Sequence, residues 1–257
     1  MLEATVNFPF RYDQKLVERS RYWGKELRHR FNARVEKFFP KDDIFLPYCY
    51  IFARTVPCPD TGFDTPLIPD WHLLKPKGSS YRLVAEPIIK KKNGTWTVRI
   101  AEIGARSNQI RQAPAPTYSD GKGISLFTNL QIPSEYIKAK AQQGEMRSAL
   151  YAVVVKKPQG LVFEPPKQVD LAGLRAAKME MSEHRFAWEQ NGSVPTEAYP
   201  EVTSDERPRL YGMPMWADMF SPRQLLCMSV LVEELRKMEP NVIATEGKDI
   251  GAAIIHL

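Results

Sequence analysis

Residues 80–104 read SYRLVAEPIIKKKNGTWTVRIAEIG, and this stretch decides the class of fold. Before Asn93-Gly94, the residues Tyr81, Leu83 and Ala85 alternate with Arg82, Val84 and Glu86. After it, Trp96, Val98 and Ile100 alternate with Thr97, Arg99 and Ala101. A period of two sends successive side chains to opposite faces of a strand. Asn-Gly between two such runs is the signal for a two-residue type I′ turn. The stretch therefore predicts a β-hairpin turning at Asn93-Gly94. Lys90, Lys91 and Lys92 flank the turn. They either guard a strand edge against pairing or touch a phosphate.

Further strands are expected on both sides. YCYIFART (48–55) is rich in aromatic and β-branched residues. RSALYAVVVKK (147–157) and GLVFEPP (160–166) read as two strands joined through Pro158-Gln159-Gly160. RQAPAPTYSDGKG (111–123) reads as loop, and a short helix is expected from about 134 to 143, ended near Gly144. Residues 48–166 are thus expected to form a β-rich module of five or six short strands.

Helices flank this module. In 12–39, Leu16, Trp23, Leu27, Phe31, Val35 and Phe38 recur at steps of three, four or seven, which makes one apolar stripe. Asp13 is the expected N-cap and Pro40 the expected stop. The other faces are basic. Arg21, Lys25 and Arg28 share one face, and Arg30, Arg34 and Lys37 share another. Each set is either a solvated face with local ion pairs or a phosphate contact. Towards the C-terminus, Asp170 is the expected cap of a helix over 171–190. Ser221 and Pro222 open another, which Pro240 is expected to follow. Its apolar run, from Leu225 to Val232, predicts burial, with a sheet as the expected packing partner. The chain therefore reads as α+β in three parts. These are a basic N-terminal helix (1–47), the β-rich module (48–166) and a helical region (167–257).

The 257 residues include 43% hydrophobic and 26% charged residues, ordinary for a soluble globular protein. No apolar run is long enough to span a membrane, and no signal pattern opens the chain, so a cytoplasmic location is expected. Three cysteines, Cys49, Cys58 and Cys227, argue against a disulfide scaffold. The net charge of +6 leans towards a polyanionic partner.

Catalytic signatures are missing from the sequence. It holds no phosphate-cradling Gly-rich loop, no dinucleotide fingerprint and no nucleophile elbow. His29, His72, His184 and His256 are scattered, and the Asp42-Asp43 and Glu233-Glu234 pairs read as loop and helix-surface charge. TVPCPDTGF (55–63) begins like a zinc knuckle, yet its second cysteine is missing. Cys49 reads as a thiol packed in its strand. With His72 as a third donor, a fourth zinc ligand is still lacking, so no metal is expected.

The order of several blocks resembles the adenine-specific DNA methylases that carry a zinc-ribbon insertion. RYWGKELRHRFNARVEKFFP (21–40) is similar to that family's basic helix. YIFARTVPCP (50–59) and TPLIPDWHLLKPKG (65–78) resemble its W-x-x-A-R-T-V-P-C-P segment and the P-L run after it. LYAVVV (150–155) resembles the strand after the ribbon. YGMPMWADMFSPRQLLCMSVLVEELR (211–236) resembles its Y-G-M-x-x-W-x-D-x-F-x-x-R-Q-L-L helix entry.

The resemblance implies a ribbon that has kept only Cys58 of its first cysteine pair. The second pair belongs near KGISLFTNLQIPSEYI (122–137), which has no cysteine. The resemblance thus implies a degenerate zinc-ribbon-like module. It also implies a parent that uses S-adenosylmethionine, although the chain lacks that family's Gly-rich cofactor turn and its Asp-Pro-Pro-Tyr type loop. What is left resembles the middle of such an enzyme. DNA is the expected partner, through Arg21, Lys25, Arg28, Arg30, Arg34, Lys37 and Lys90 to Lys92. A non-catalytic adaptor for a separate methylase half or a defence-system protein is the alternative.

Overall fold

The computed structural model describes residues 3–39, 45, 47–104, 112–202 and 204–257. The expected stop at Pro40, the Asp42-Asp43 pair and Arg111 lie outside them. In chain order the helices and strands begin with α1 (Phe8–Val35). The β-rich part runs β1 (Pro47–Pro57), β2 (Asp64–Leu67), β3 (His72–Leu74), β4 (Arg82–Lys90), β5 (Thr95–Ile103), β6 (Tyr118–Ser119), β7 (Lys122–Ile124) and β8 (Gln131–Ile132). Helix α2 (Ser134–Gln142) follows, then β9 (Arg147–Lys157) and β10 (Gly160–Glu164). The chain closes with α3 (Gln168–Gln190), α4 (Arg207–Leu210), α5 (Pro222–Glu246) and α6 (Lys248–His256). The protein is α+β: a long basic N-terminal helix, central antiparallel sheets and C-terminal helices. None of the described helices is long and apolar enough to cross a membrane.

Contacts divide the chain into two compact units. One comprises Met1–Pro40, Ala172–Glu197 and Phe220–Leu257; the other comprises Lys41–Leu171 and Ala198–Met219.

In the helical unit, Leu16 and Trp23 of α1 pack on Met238 and Val242 of α5 and on Ala253 and Ile254 of α6. The stripe read from the sequence is the buried face, with Val35 and Phe38 also enclosed. The helix starts before the expected cap, at Phe8. Asp13 instead marks a break, with φ 50° and ψ −145°. At the other end of the chain, Ser221 caps α5 as expected. Its hydroxyl accepts from the Gln224 N–H while the Gln224 side chain accepts from the Ser221 N–H, a full capping box.

Two expectations for α5 fail. The helix continues through Pro240 to Glu246. Proline removes one helical hydrogen bond, but Met238 and Val242 on either side are buried in the core and hold the turn in place. Its packing partners are helices α1 and α6 rather than a sheet, and Met228 and Leu231 remain partly exposed.

The β-rich unit contains a four-stranded sheet, β10-β9-β1-β2, and two three-stranded sheets, β3-β4-β5 and β6-β7-β8. All pairs are antiparallel. Its core joins Ala53, Tyr151 and Ala152 from the first sheet to Ala85 and Val98 from the second, around Ile68 and Trp71. Trp71 donates its indole N–H to the Ala115 carbonyl at 2.9 Å, so burying this large ring leaves no polar atom unpaired.

The hairpin β4–β5 forms with Lys90 opposite Thr95. The expected two-residue turn does not. Lys91–Asn93 make a turn of 3-10 helix, and Gly94 closes it at φ 63°. Glycine is required there, since its φ is positive and a Cβ on Gly94 would lie 2.2 Å from the Phe63 ring. Val84 and Ala85 are both fully buried, so strict alternation fails where both faces of β4 are covered.

The 111–123 segment, read as loop, contains β6 and β7. Ser119 pairs with Lys122, and Asp120 and Gly121 both have positive φ. That is the type I′ arrangement, in strands too short to show alternation. Cys49 is exposed rather than packed. It lies in the part of β1 that precedes the pairing with β2, which begins at Arg54. Asp170 sits inside α3. Its carboxylate accepts the Lys167 N–H at 2.9 Å, so it closes the first turn from within rather than capping it from outside.

Gly212 approaches α2 so closely that a Cβ would lie 2.1 Å from the Ala141 carbonyl oxygen, and its φ is 75°. Backbone cannot move aside as a flexible side chain can. Gly212→Ala should therefore cost at least about 2 kcal/mol, read as a lower urea midpoint with an unchanged slope.

Candidate nucleic-acid interface

The two basic faces of α1 have different fates. Arg34 lies at the phase of the apolar stripe. Its guanidinium donates to Glu233 at 2.7 Å and to Glu234 at 2.8 Å, both on α5. Glu234 is buried, and Lys237 approaches it at 3.3 Å. Burial pushes both glutamates up, but Arg34 and Lys237, joined at Glu233 by a bond from Trp188, together outweigh it and hold both carboxylates below their ordinary range. Lys37 pairs with Glu180 at 3.0 Å, and Arg30 with Glu26 one turn away at 2.7 Å. This set is committed to structure, and Glu233-Glu234, read as surface charge, is half of the pairing.

Arg21, Lys25 and Arg28 point away from α5 and are exposed. Among the described residues none of the three enters an ion pair. Lys15 and His29 are exposed near the same line, with Glu18 as an acidic neighbour. Tyr22 was not singled out by the sequence reading. It is half exposed, and the Arg19 guanidinium lies 4.6 Å from its ring centre. The signal for it was an aromatic off the apolar stripe. Arg19 itself is anchored, since it donates to Glu246 together with the Trp23 indole N–H.

Lys90, Lys91 and Lys92 are exposed around the β4–β5 turn. They belong to the β-rich unit, whereas the α1 cations belong to the helical unit. The histidines do not converge. His72 bonds the Asp70 carboxylate, while His184 lies 3.6 Å from Glu180 and beside the Trp188 ring. Among the described residues no group of three or more His, Cys, Asp or Glu could hold a metal. An open groove in the β-rich unit, about 720 Å³, is lined by Gln142, Glu206, Arg209 and Asp218 among others. Its charges are mixed, and it holds no nucleophile paired with a base.

Arg34→Gln removes the charge that holds Glu233 and Glu234. It should destabilise the protein by about 1–3 kcal/mol. Because the folded carboxylate values are depressed, the lost stabilisation is complete above about pH 4.3 and fades as pH falls through the lower folded values. Melts of the wild type and variant should therefore differ most above pH 5 and converge in acid.

Comparison of the chain with protein-family models, curated proteins and solved structures finds no match. Function is accordingly read from the side chains themselves.

Proposed function

We propose that this chain supplies the DNA-holding surface of an adenine-N6 DNA methylase without carrying its catalytic centre. The observation that supports this most directly is the exposed Arg21, Lys25 and Arg28 face of α1, free of ion pairs among the described residues while its neighbours are neutralised. An enzyme that modifies a base takes it out of the stack. It then needs cations that grip the flanking phosphates and fix the register, and such contacts carry no sequence information. Lys90 to Lys92 add a second cationic site on the β-rich unit. S-adenosylmethionine binding and methyl transfer fall to a second polypeptide or segment, because the Gly-rich cofactor turn is missing from this sequence.

A second reading has its own support. Met179 and Phe186 on α3 are largely exposed, at 72% and 74%. Apolar side chains in water suit a protein partner, which favours an adaptor for a separate methylase half.

If about three cations meet phosphates, the log–log salt slope of duplex binding should be about −3. Replacing Arg21, Lys25 and Arg28 with glutamine should flatten it and weaken all sequences alike, with no change in melting temperature. Arg34→Gln should do the reverse, costing stability and leaving the slope unchanged. Duplex binding that is absent at about 50 mM salt, or unaffected by the triple substitution, would put the adaptor reading first.

A further inference from the structure

Two loops of the β-rich unit repeat one another. In the first, residues 58–63, the Cys58 N–H donates to the Phe63 carbonyl and the Gly62 N–H to the Cys58 carbonyl, both at 2.8 Å. In the second, residues 125–130, the Ser125 N–H donates to the Leu130 carbonyl and the Asn129 N–H to the Ser125 carbonyl, both at 2.9 Å. The fifth residue of each has a left-handed backbone, Gly62 at φ 71° and Asn129 at φ 63°.

Side chains repeat too. The Thr61 hydroxyl accepts the Phe63 N–H at 3.3 Å, and the Thr128 hydroxyl accepts the Leu130 N–H at 3.4 Å. The Ser125 hydroxyl accepts the N–H groups of Phe127 and Thr128. The Cys58 sulfur takes the corresponding N–H groups of Asp60 and Thr61.

The loops face each other. The Cys58 sulfur is 3.1 Å from the Ser125 hydroxyl oxygen and 4.0 Å from that of Thr128, and Thr61 also bonds it. Phe63 and Phe127 meet edge to face at 5.3 Å. First and fourth residues of two turns converging on one point is the spacing of a C-x-x-C pair of pairs. With zinc–sulfur bonds of about 2.3 Å, the edge of a tetrahedral thiolate site is about 3.8 Å, and the two separations from Cys58 to the second loop, 3.1 and 4.0 Å, lie on either side of it.

The donor set does not suit zinc. Three of the four positions carry neutral hydroxyls, which hold a structural zinc ion far less well than thiolate, imidazole or carboxylate. Asp60, 3.8 Å from the Cys58 sulfur and 3.2 Å from the Thr128 hydroxyl, brings the anionic donors to two at most.

We infer that Cys58, Thr61, Ser125 and Thr128 occupy the four ligand positions of a metal ribbon, and that a thiol–hydroxyl hydrogen-bond cluster now joins the two loops in place of the ion. This goes beyond the DNA-holding reading and does not depend on it. In the cluster the Cys58 thiol is buried. Burial pushes it up, yet the bonds from Ser125, Thr61 and the two backbone N–H groups leave it below its ordinary value.

The test restores the ligands in the full chain. Thr61→Cys, Ser125→Cys and Thr128→Cys together should take up one equivalent of cobalt with a tetrahedral thiolate spectrum, and zinc should displace it and raise the melting temperature. The wild type should take up neither. Stoichiometric zinc in the wild type, abolished by Cys58→Ser, would overturn the inference by showing the site still in use. A folded triple variant that binds no cobalt would overturn it by showing that the four positions do not converge. Should the triple variant fail to fold, Ser125→Cys alone decides. Mild oxidation should remove two of the variant's four free thiols and none of the wild type's three, and failure to do so counts against convergence.

Discussion

The Arg34 guanidinium between Glu233 and Glu234 is the contact on which the functional reading turns. A long helix with an apolar stripe could rock about its axis by a residue or so at little cost in buried area. A charge bonded to two carboxylates, one of them buried, does not allow that, because each shift would strand a desolvated group. Glu246 acts likewise near the other end, accepting from Arg19 and from the Trp23 indole. With both ends of the helix fixed, the face bearing Arg21, Lys25 and Arg28 is fixed as well, and it is the face that no glutamate of α5 reaches. Structural pairing thereby sorts one basic helix into an internal half and an available half.

In the β-rich unit the comparable constraint is close approach. Gly94 lets the β4–β5 turn lie against Phe63, and Phe63 in turn meets Phe127 across the paired loops. Gly212 lets its segment touch the backbone at the end of α2. A methyl group at either position would collide, and both glycines have left-handed backbones that other residues adopt at a cost. The hairpin, the two loops and the 211–219 segment therefore depend on small residues as much as on large ones.

The block 211–236 has a local physical account. Tyr211 shares a hydrogen bond with Tyr118, which pushes the Tyr118 phenol up to about 12. Asp218 accepts the Met215 N–H. Ser221 and Gln224 form the capping box. Arg223 is buried, donating to the Phe38 carbonyl at 3.2 Å and lying 4.5 Å from the Phe39 ring centre. These are roles in folding.

By itself the sequence determined what local rules govern. The stripe of α1, the capping box at Ser221, the β4–β5 pairing and the end of α2 near Gly144 follow from periodicity, caps and turn residues acting within a few positions. Tertiary structure decided the rest. That residue 94 lies against the Phe63 ring, with no room for a side chain, was settled by the fold and not by the turn residues. Whether Pro240 ended a helix depended on the core either side of it. Which arginines of α1 stayed available depended on glutamates about 200 positions away. The likeness of 58–63 to 125–130 was hidden for the same reason. Cys-Pro-Asp-Thr-Gly-Phe and Ser-Leu-Phe-Thr-Asn-Leu share only the threonine as letters, and backbone hydrogen bonds, which carry no residue identity, do most to make them the same loop.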